Sequence, residues 1–230
     1  MTAVGRAANI LPLDGMEHGQ TLSIEAEVPK SIANRATRLT ILCRGATAAN
    51  QQSRFSAADA LTPKEQVRLE ALAGDLRLFD AVLHAPERAA SETAAAFSAE
   101  ATLCPPLTDV AYGAWENRTV ADVAHHWPED LERWSADPAS APHGGESFAA
   151  AQARAAKWLE SYHAVGGNTL AVTHAIIVKL LFLHVVGAPL TSIWRIDVAP
   201  LGMLTLSSDG RRWALRGFGA AGRIGLSGSD

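Results

Sequence analysis

The stretch Leu39-Thr40-Ile41-Leu42-Cys43-Arg44-Gly45-Ala46-Thr47-Ala48-Ala49-Asn50 constrains the fold more than any other part of the chain. An apolar run of strand length breaks at a cation and a glycine, then enters an Ala-rich segment that reads as a helix start. Turns of this kind suit phosphate. Glycine lets the backbone approach an anion, helix-start amides donate to it, and a guanidinium grips two oxygens at once. The same letters also describe a buried strand, a glycine turn and a helix, with Arg44 merely solvated.

The strand–turn–helix pattern recurs. Residues 79–83 read as a short strand closed by His84-Ala85-Pro86, with an Ala-rich helix over 87–101. Gly166-Gly167-Asn168 turns the chain into a strand over 169–173 that ends at His174, before the apolar helix Ala175–Val186. Thr62-Pro63 opens an amphipathic helix over 64–78 carrying Val67, Leu69, Leu72 and Leu76. The middle reads as a lid: a loop at 107–115, a helical or broken-helical stretch at 120–134 with His125, His126, Trp127 and Trp134, a Pro/Gly-rich loop at 138–147, and a helix over 148–163. Residues 194–198, 203–207 and 213–217 read as closing strands, with Asp209-Gly210 as a hairpin turn. The expected fold is an α/β three-layer sandwich, a mostly parallel central sheet with helices on both faces and its chemistry at the carboxyl ends of the strands.

Residues 1–38 read as an N-terminal extension, 39–219 as one domain and 220–230 as a flexible polar tail. Within the extension, Leu22, Ile24, Ala26 and Val28 alternate like a half-buried strand. The string Glu17-His18-Gly19-Gln20-Thr21 looks catalytic, but strand-like sequence follows it rather than a helix, so it carries no weight. A net charge of −4 over 230 residues offers no broad basic surface to nucleic acid, so any cationic site is local. Cys43 and Cys104 are too few for a disulfide framework or a thiolate metal site and fit a reducing cytoplasm. The longest apolar run contains Lys179 and His184 and is too short to cross a bilayer, and no secretory signal is evident. A cytoplasmic protein without metal, cofactor, nucleic-acid or membrane partner is expected; a homodimer is admitted but not demanded.

Three strand ends, at Cys43-Arg44, His84-Ala85 and Thr173-His174, together with Asp109, make a pocket of cations plus a carboxyl group. From Leu39 to Gly217 the chain resembles the histidine phosphatase superfamily, the phosphoglycerate-mutase-like proteins. Gly45-Ala46-Thr47-Ala48-Ala49-Asn50 is similar to the end of the family's Arg-His-Gly-x-Thr-x-x-Asn block, and Ala85 to Ala94 to its Ser-Pro-x-x-Arg-Ala-x-x-Thr-Ala block. Leu107-Thr108-Asp109 with Gly113-Ala114-Trp115-Glu116 resembles the acid-bearing loop, Gly144-Gly145-Glu146-Ser147 the Gly-Gly-Glu-Ser string, and Val172-Thr173-His174-Ala175 the second histidine strand. In that family one histidine attacks phosphorus, two arginines and a second histidine hold the phosphoryl oxygens, and a Glu or Asp protonates the leaving oxygen. The resemblance therefore assigns His174 and Asp109 to catalysis, and Arg44, Arg88, Thr47, Asn50 and Glu146 to substrate or phosphate binding.

The departures matter as much as the matches. Aligned from the Gly-Ala-Thr side, Cys43 stands at the family's arginine and Arg44 at its nucleophilic histidine; aligned from the strand side, Arg44 stays arginine and the histidine is deleted. Either alignment lacks the nucleophile. Ala89 takes the second arginine's place and Arg88 sits one residue early, a turn of about 100° on a helix. Cys43, beside a cation and a helix start, and His84, near a strand end, are the further candidates, against blander roles as a buried hydrophobe and a turn residue. The leading expectation is a degenerate member that binds a phosphorylated or anionic small molecule without phosphohistidine chemistry. The alternatives are an active phosphatase-like hydrolase or repurposed chemistry using His174 and Asp109, and an interaction protein whose Trp115, Trp127 and Trp134 meet a partner.

Overall fold

The computed structural model describes residues 36–55, 58–76 and 79–220. The alternating residues 22–28, the string at 17–21 and the tail beyond Ala220 lie outside the described residues.

The first strand, β1 (Thr37–Cys43), is buried at every position but Arg38, as its apolar run requires of a central strand. It pairs in parallel with β4 (Asn168–Thr173) on one side and antiparallel with β5 (Gly202–Ser208) on the other. With β2 (Ala81–His84), β3 (Thr102–Leu103) and β6 (Trp213–Ala220), the sheet runs β3-β2-β4-β1-β5-β6. The four strands from β3 to β1 are parallel, while β5 and β6 add an antiparallel hairpin whose turn, at Asp209-Gly210, is tied by Asp209 Oδ1 accepting from the Arg211 and Arg212 amides. The sheet is mixed, six strands wide, and flanked by helices.

Each helix follows from its local chemistry. The helix α1 (Ala48–Gln51) is a single turn capped by Thr47. The helix α2 (Pro63–Asp75) starts with Pro63 in its first turn, and Thr62 Oγ1 accepts from the Glu65 amide. The expected helix over 87–101 is shorter: α3 (Arg88–Ala95) stops where Phe97 docks on Phe79, ring centroids 6.2 Å apart, turning the chain toward β3. The stretch at 120–134 is broken at Trp127-Pro128, because proline has no amide to continue α4 (Val120–His126) and instead begins α5 (Pro128–Ala136). The helices α6 (Phe148–Ser161) and α7 (Ala175–Val186) pack on one another, α7 also lies against β1, β5 and β6, and α3 lies against β2 and β4. With this strand order, the right-handed rule for parallel crossovers assigns α2 and α3 to one face of the sheet and α6 to the other.

One expected strand is absent. Residues 194–198 belong to a 3-10 turn over Leu190–Arg195 and the coil after it, because Trp194 meets Trp134 edge to face at 5.1 Å and donates its indole N–H to the Ser135 carbonyl. Trp134 also contacts Phe55, Trp115 and Phe148 at 5.6, 5.7 and 5.0 Å. Trp115 and Trp134 are therefore core, and Trp127 is partly buried against it.

Above this aromatic core two loops run backbone against backbone. Ala114 N donates to His143 O and Glu146 N to Ala111 O, at 2.9 and 2.8 Å. A Cβ on Gly145 would sit 2.0 Å from Ala111 O, and one on Gly113 2.2 Å from His143 O. Gly145→Ala is expected to lower unfolding free energy in urea by about 2–3 kcal/mol through this overlap. Gly187→Ala, at the left-handed end of α7 with open space around it, costs only about 1 kcal/mol. Equal losses in the two variants would contradict the contact.

Candidate functional site

Strand register assembles the site. Cys43 lies opposite Thr173, and Arg44 N donates to Thr173 O at 2.7 Å. Arg44 and His174 are thus the first residues past two adjacent parallel strands, and Arg44 Nε lies 3.3 Å from His174 Nδ1. The neighbouring strand β2 ends alongside, with Ala85 N donating to Val172 O at 2.9 Å, so the turn after it carries Glu87 to the same edge.

His174 is almost wholly buried between two carboxylates. Its Nδ1 is 3.1 Å from Asp109 Oδ2 and its Nε2 2.9 Å from Glu87 Oε2. Burial alone pulls an imidazolium down, but the Asp109 and Glu87 carboxylates more than reverse this and raise His174 to about 9. The protonated ring donates from both nitrogens. Arg44 Nε, at 3.3 Å, then has no lone pair to meet on Nδ1, and the two shorter carboxylate contacts decide the protonation state. Burial raises the Glu87 carboxyl, yet hydrogen bonds from His174, Thr108 Oγ1 and the Asp109 amide bring it down to about 2.

Arg44 is held from behind. Its Nη1 donates to Gly45 O at 2.8 Å and to Asn50 Oδ1 at 2.7 Å, and that same Oδ1 accepts from Thr47 N at 3.0 Å and Thr47 Oγ1 at 3.2 Å. Thr47 and Asn50 thus aim the guanidinium. The amides expected to cradle an anion are otherwise engaged: Gly45 N donates to Thr93 Oγ1 at 3.0 Å and Thr47 N to Asn50.

Two cavities meet at Asp109. The smaller, about 280 Å³, is lined by Arg44, Asn50, Arg54, His174 and Lys179, and by Ala175 and Ile176 at the start of α7, whose first-turn amides have no partner within the helix. Burial lowers the Lys179 ammonium pKa against the pull of Asp197. The larger, about 920 Å³, lies under the lid and is lined by Glu87, Thr108, Glu116, Glu146 and Arg154. Glu146 spends both oxygens on Arg154, at 3.0 and 2.7 Å, and Arg154 Nη1 donates to the Pro106 and Thr108 carbonyls at 2.7 and 3.1 Å. That staple, with Thr173 Oγ1 donating to Leu107 O at 2.5 Å, fixes the loop that carries Asp109.

The structure therefore brings together Arg44, Thr47, Asn50, Asp109 and His174, and puts Glu146 in the wall of the larger cavity. Three residues lie apart. Arg88 is one residue out of phase on α3: its side chain is 64% exposed and its Nε bonds Glu92 at 2.7 Å, away from both cavities. His84 is turned to its own neighbour, with Nδ1 2.8 Å from Ala85 O, and lines neither cavity. Cys43 is buried, and its thiol is pushed up to about 12 by that burial despite Arg44, so the nucleophilic thiolate is scarce at neutral pH. Among the described residues no group of three His, Cys, Asp or Glu is disposed to hold a metal, and no helix is long and apolar enough to cross a membrane.

Glu87, which contacts His174, is the residue of this site that the sequence reading does not single out. Its one signal was an acid in the turn after a strand end, directly before a helix, where carboxylates are also common for helix-dipole reasons.

A family model described as the histidine phosphatase superfamily (branch 1) matches residues 39–221. The bifunctional protein Rv2228c of Mycobacterium tuberculosis is 29% identical over 189 residues, 76% of this chain and 51% of that protein. The adenosylcobalamin/alpha-ribazole phosphatase of Salmonella typhimurium is 29% identical over 99 residues, 42% of this chain and 49% of that protein. The chain spans about half the length of the curated relatives it matches. The crystal structure of the alpha-ribazole phosphatase from Shigella flexneri is similar with a TM-score of 0.72 at 26% identity, covering 80% of this chain and 97% of that one.

The charge cluster makes stability depend on pH in a definite sense. His174 is raised from 6.5 to about 9, so its stabilising contribution is full below 6.5 and lost as pH rises through 9. Urea unfolding of the wild type and His174→Gln at a series of pH values should show the wild-type advantage shrinking across that interval. An advantage that grows with pH would mean that the ring is buried neutral.

Proposed function

Because the chain belongs to the histidine phosphatase superfamily, we propose that its strand-end site binds a phosphorylated or otherwise anionic small molecule without the family's phosphohistidine step. The observation that carries this reading is the state of His174. Both of its ring nitrogens face carboxylates at 3.1 and 2.9 Å, so no lone pair is presented to phosphorus. Among the described residues it is the one imidazole lining either cavity, and Arg44 occupies the strand end beside it. What remains suits oxyanion binding: the Arg44 guanidinium, the Lys179 side chain and the start of α7 line one small cavity. The ligand is held by side chains more than by the glycine turn, whose amides are already bonded within the protein.

A second reading keeps turnover. Asp109 borders both cavities, and two of the named relatives, those from Salmonella typhimurium and Shigella flexneri, are phosphatases, which favours a hydrolase that activates water directly, with Asp109 as base. The two readings part on product. Calorimetric titration with inorganic phosphate at about pH 6, where the anion is mostly singly charged, is expected to give binding that Arg44→Ala weakens about tenfold or more. A phosphomonoester panel followed by phosphorus NMR and intact mass is expected to give neither brisk release of phosphate nor a phosphorylated protein. Rapid hydrolysis abolished by Asp109→Asn would establish the second reading, and a phosphate adduct on His174 would overturn both.

A further inference from the structure

We propose that Glu87 sets the charge class of the ligand: with this carboxylate seated on His174, the site takes singly charged oxyanions, such as phosphodiester, sulfonate or carboxylate groups, in preference to phosphomonoester dianions. The proposal rests on the smaller cavity being an anion site.

Arg44 and His174 are cations 3.3 Å apart, and Asp109 and Glu87 stand 3.1 and 2.9 Å from the two nitrogens of the same ring, so these four groups sum to zero. Arg54, on the cavity wall, is committed to Asp59 at 3.2 Å. Among the described residues Lys179 is the remaining cation lining the cavity; burial lowers its pKa and Asp197 offsets its charge, so the surplus is at most one positive charge. One net positive charge balances one negative charge on a ligand. A dianion brings a second, which meets the Asp109 carboxylate on the cavity wall and the Glu87 carboxylate one ring-width behind His174.

Glu87 is a fixed part of the site, not a placeholder that a ligand displaces. Its Oε1 accepts from Thr108 Oγ1 at 2.5 Å and from Asp109 N at 2.9 Å while Oε2 meets the ring, so removing it would strand three donors, two of them on the Asp109 loop. It therefore acts through His174 as a positioning and charge-setting residue, and its negative charge is permanent at neutral pH.

The test compares methyl phosphate with dimethyl phosphate at about pH 7.5, where the monoester, with a second ionisation near 6, is mostly a dianion and the diester a monoanion. Dissociation constants are measured for the wild type, Glu87→Gln and Glu87→Asp, with Arg44→Ala as the control for the site itself. Wild type is expected to bind dimethyl phosphate at least as tightly as methyl phosphate. Glu87→Gln, which keeps an oxygen for Thr108 and the Asp109 amide, is expected to shift the ratio toward methyl phosphate about tenfold or more, and Glu87→Asp to restore the wild-type preference. The His174 ring nitrogen shifts, read by NMR in the free proteins, should show the imidazolium giving up its proton at lower pH in Glu87→Gln than in wild type. A wild type that prefers the dianion about tenfold overturns the proposal without any variant, and so does an unchanged ratio in Glu87→Gln. Failure of both esters to bind any protein would instead sink the anion-site reading, whereas binding abolished by Arg44→Ala but blind to Glu87 would sink this inference alone.

Discussion

The site depends on the parallel register of β1 against β4. Arg38 N donates to Gly167 O at the start of the pairing and Arg44 N to Thr173 O at its end, so the two strands finish level. Leu39, Ile41 and Leu42 with Leu170, Ala171 and Val172 are wholly excluded from water, and Leu201 N, donating to Cys43 O, locks the far side of β1. A slip of one residue would reverse the faces of all these side chains, and burial forbids it. Because the strands end together, Arg44 and His174 have no choice but to meet.

That meeting places like charges together, and the surrounding chain compensates. A buried imidazolium is stable only if its partners are ionised and themselves hydrogen-bonded. Glu87 satisfies this through Thr108 and the Asp109 amide, and Asp109 through the loop that carries it. The loop in turn is stapled by Arg154 and Glu146 and needs glycines at 113 and 145 for its backbone to touch its neighbour. Residues far apart in sequence therefore answer to one electrostatic requirement.

Much of this was legible in the sequence, and the remainder had physical reasons not to be. The strands, α7 with its exact bounds, and the convergence of Arg44, Asp109 and His174 follow from apolar periodicity and from chemistry placed at strand ends. Helix phase is where the reading went astray: Arg88 is long enough to reach the site, yet it sits on the solvent side of α3 and finds Glu92 one turn away. The strand expected at 194–198 failed because a single indole gained more from an aromatic cluster than from a sheet edge. Glu87 escaped notice because its partner lies 87 residues away, and a carboxylate before a helix has an ordinary local explanation. Tertiary charge pairing leaves no period for a sequence to display.

The glycine turn after β1 is tied into the protein by its own amides. A turn whose amides point at Thr93 and Asn50 is a structural joint between β1, α1 and α3, and its role is to present one guanidinium. Backbone donors for an anion are then to be sought on the other side of His174, where α7 begins with Ala175 and Ile176 on the cavity wall. An anion held there, as proposed, would meet an imidazolium whose two nitrogens already face carboxylates at 3.1 and 2.9 Å. On the proposed reading, the same strand ends serve recognition because both nitrogens of the ring are held by carboxylates.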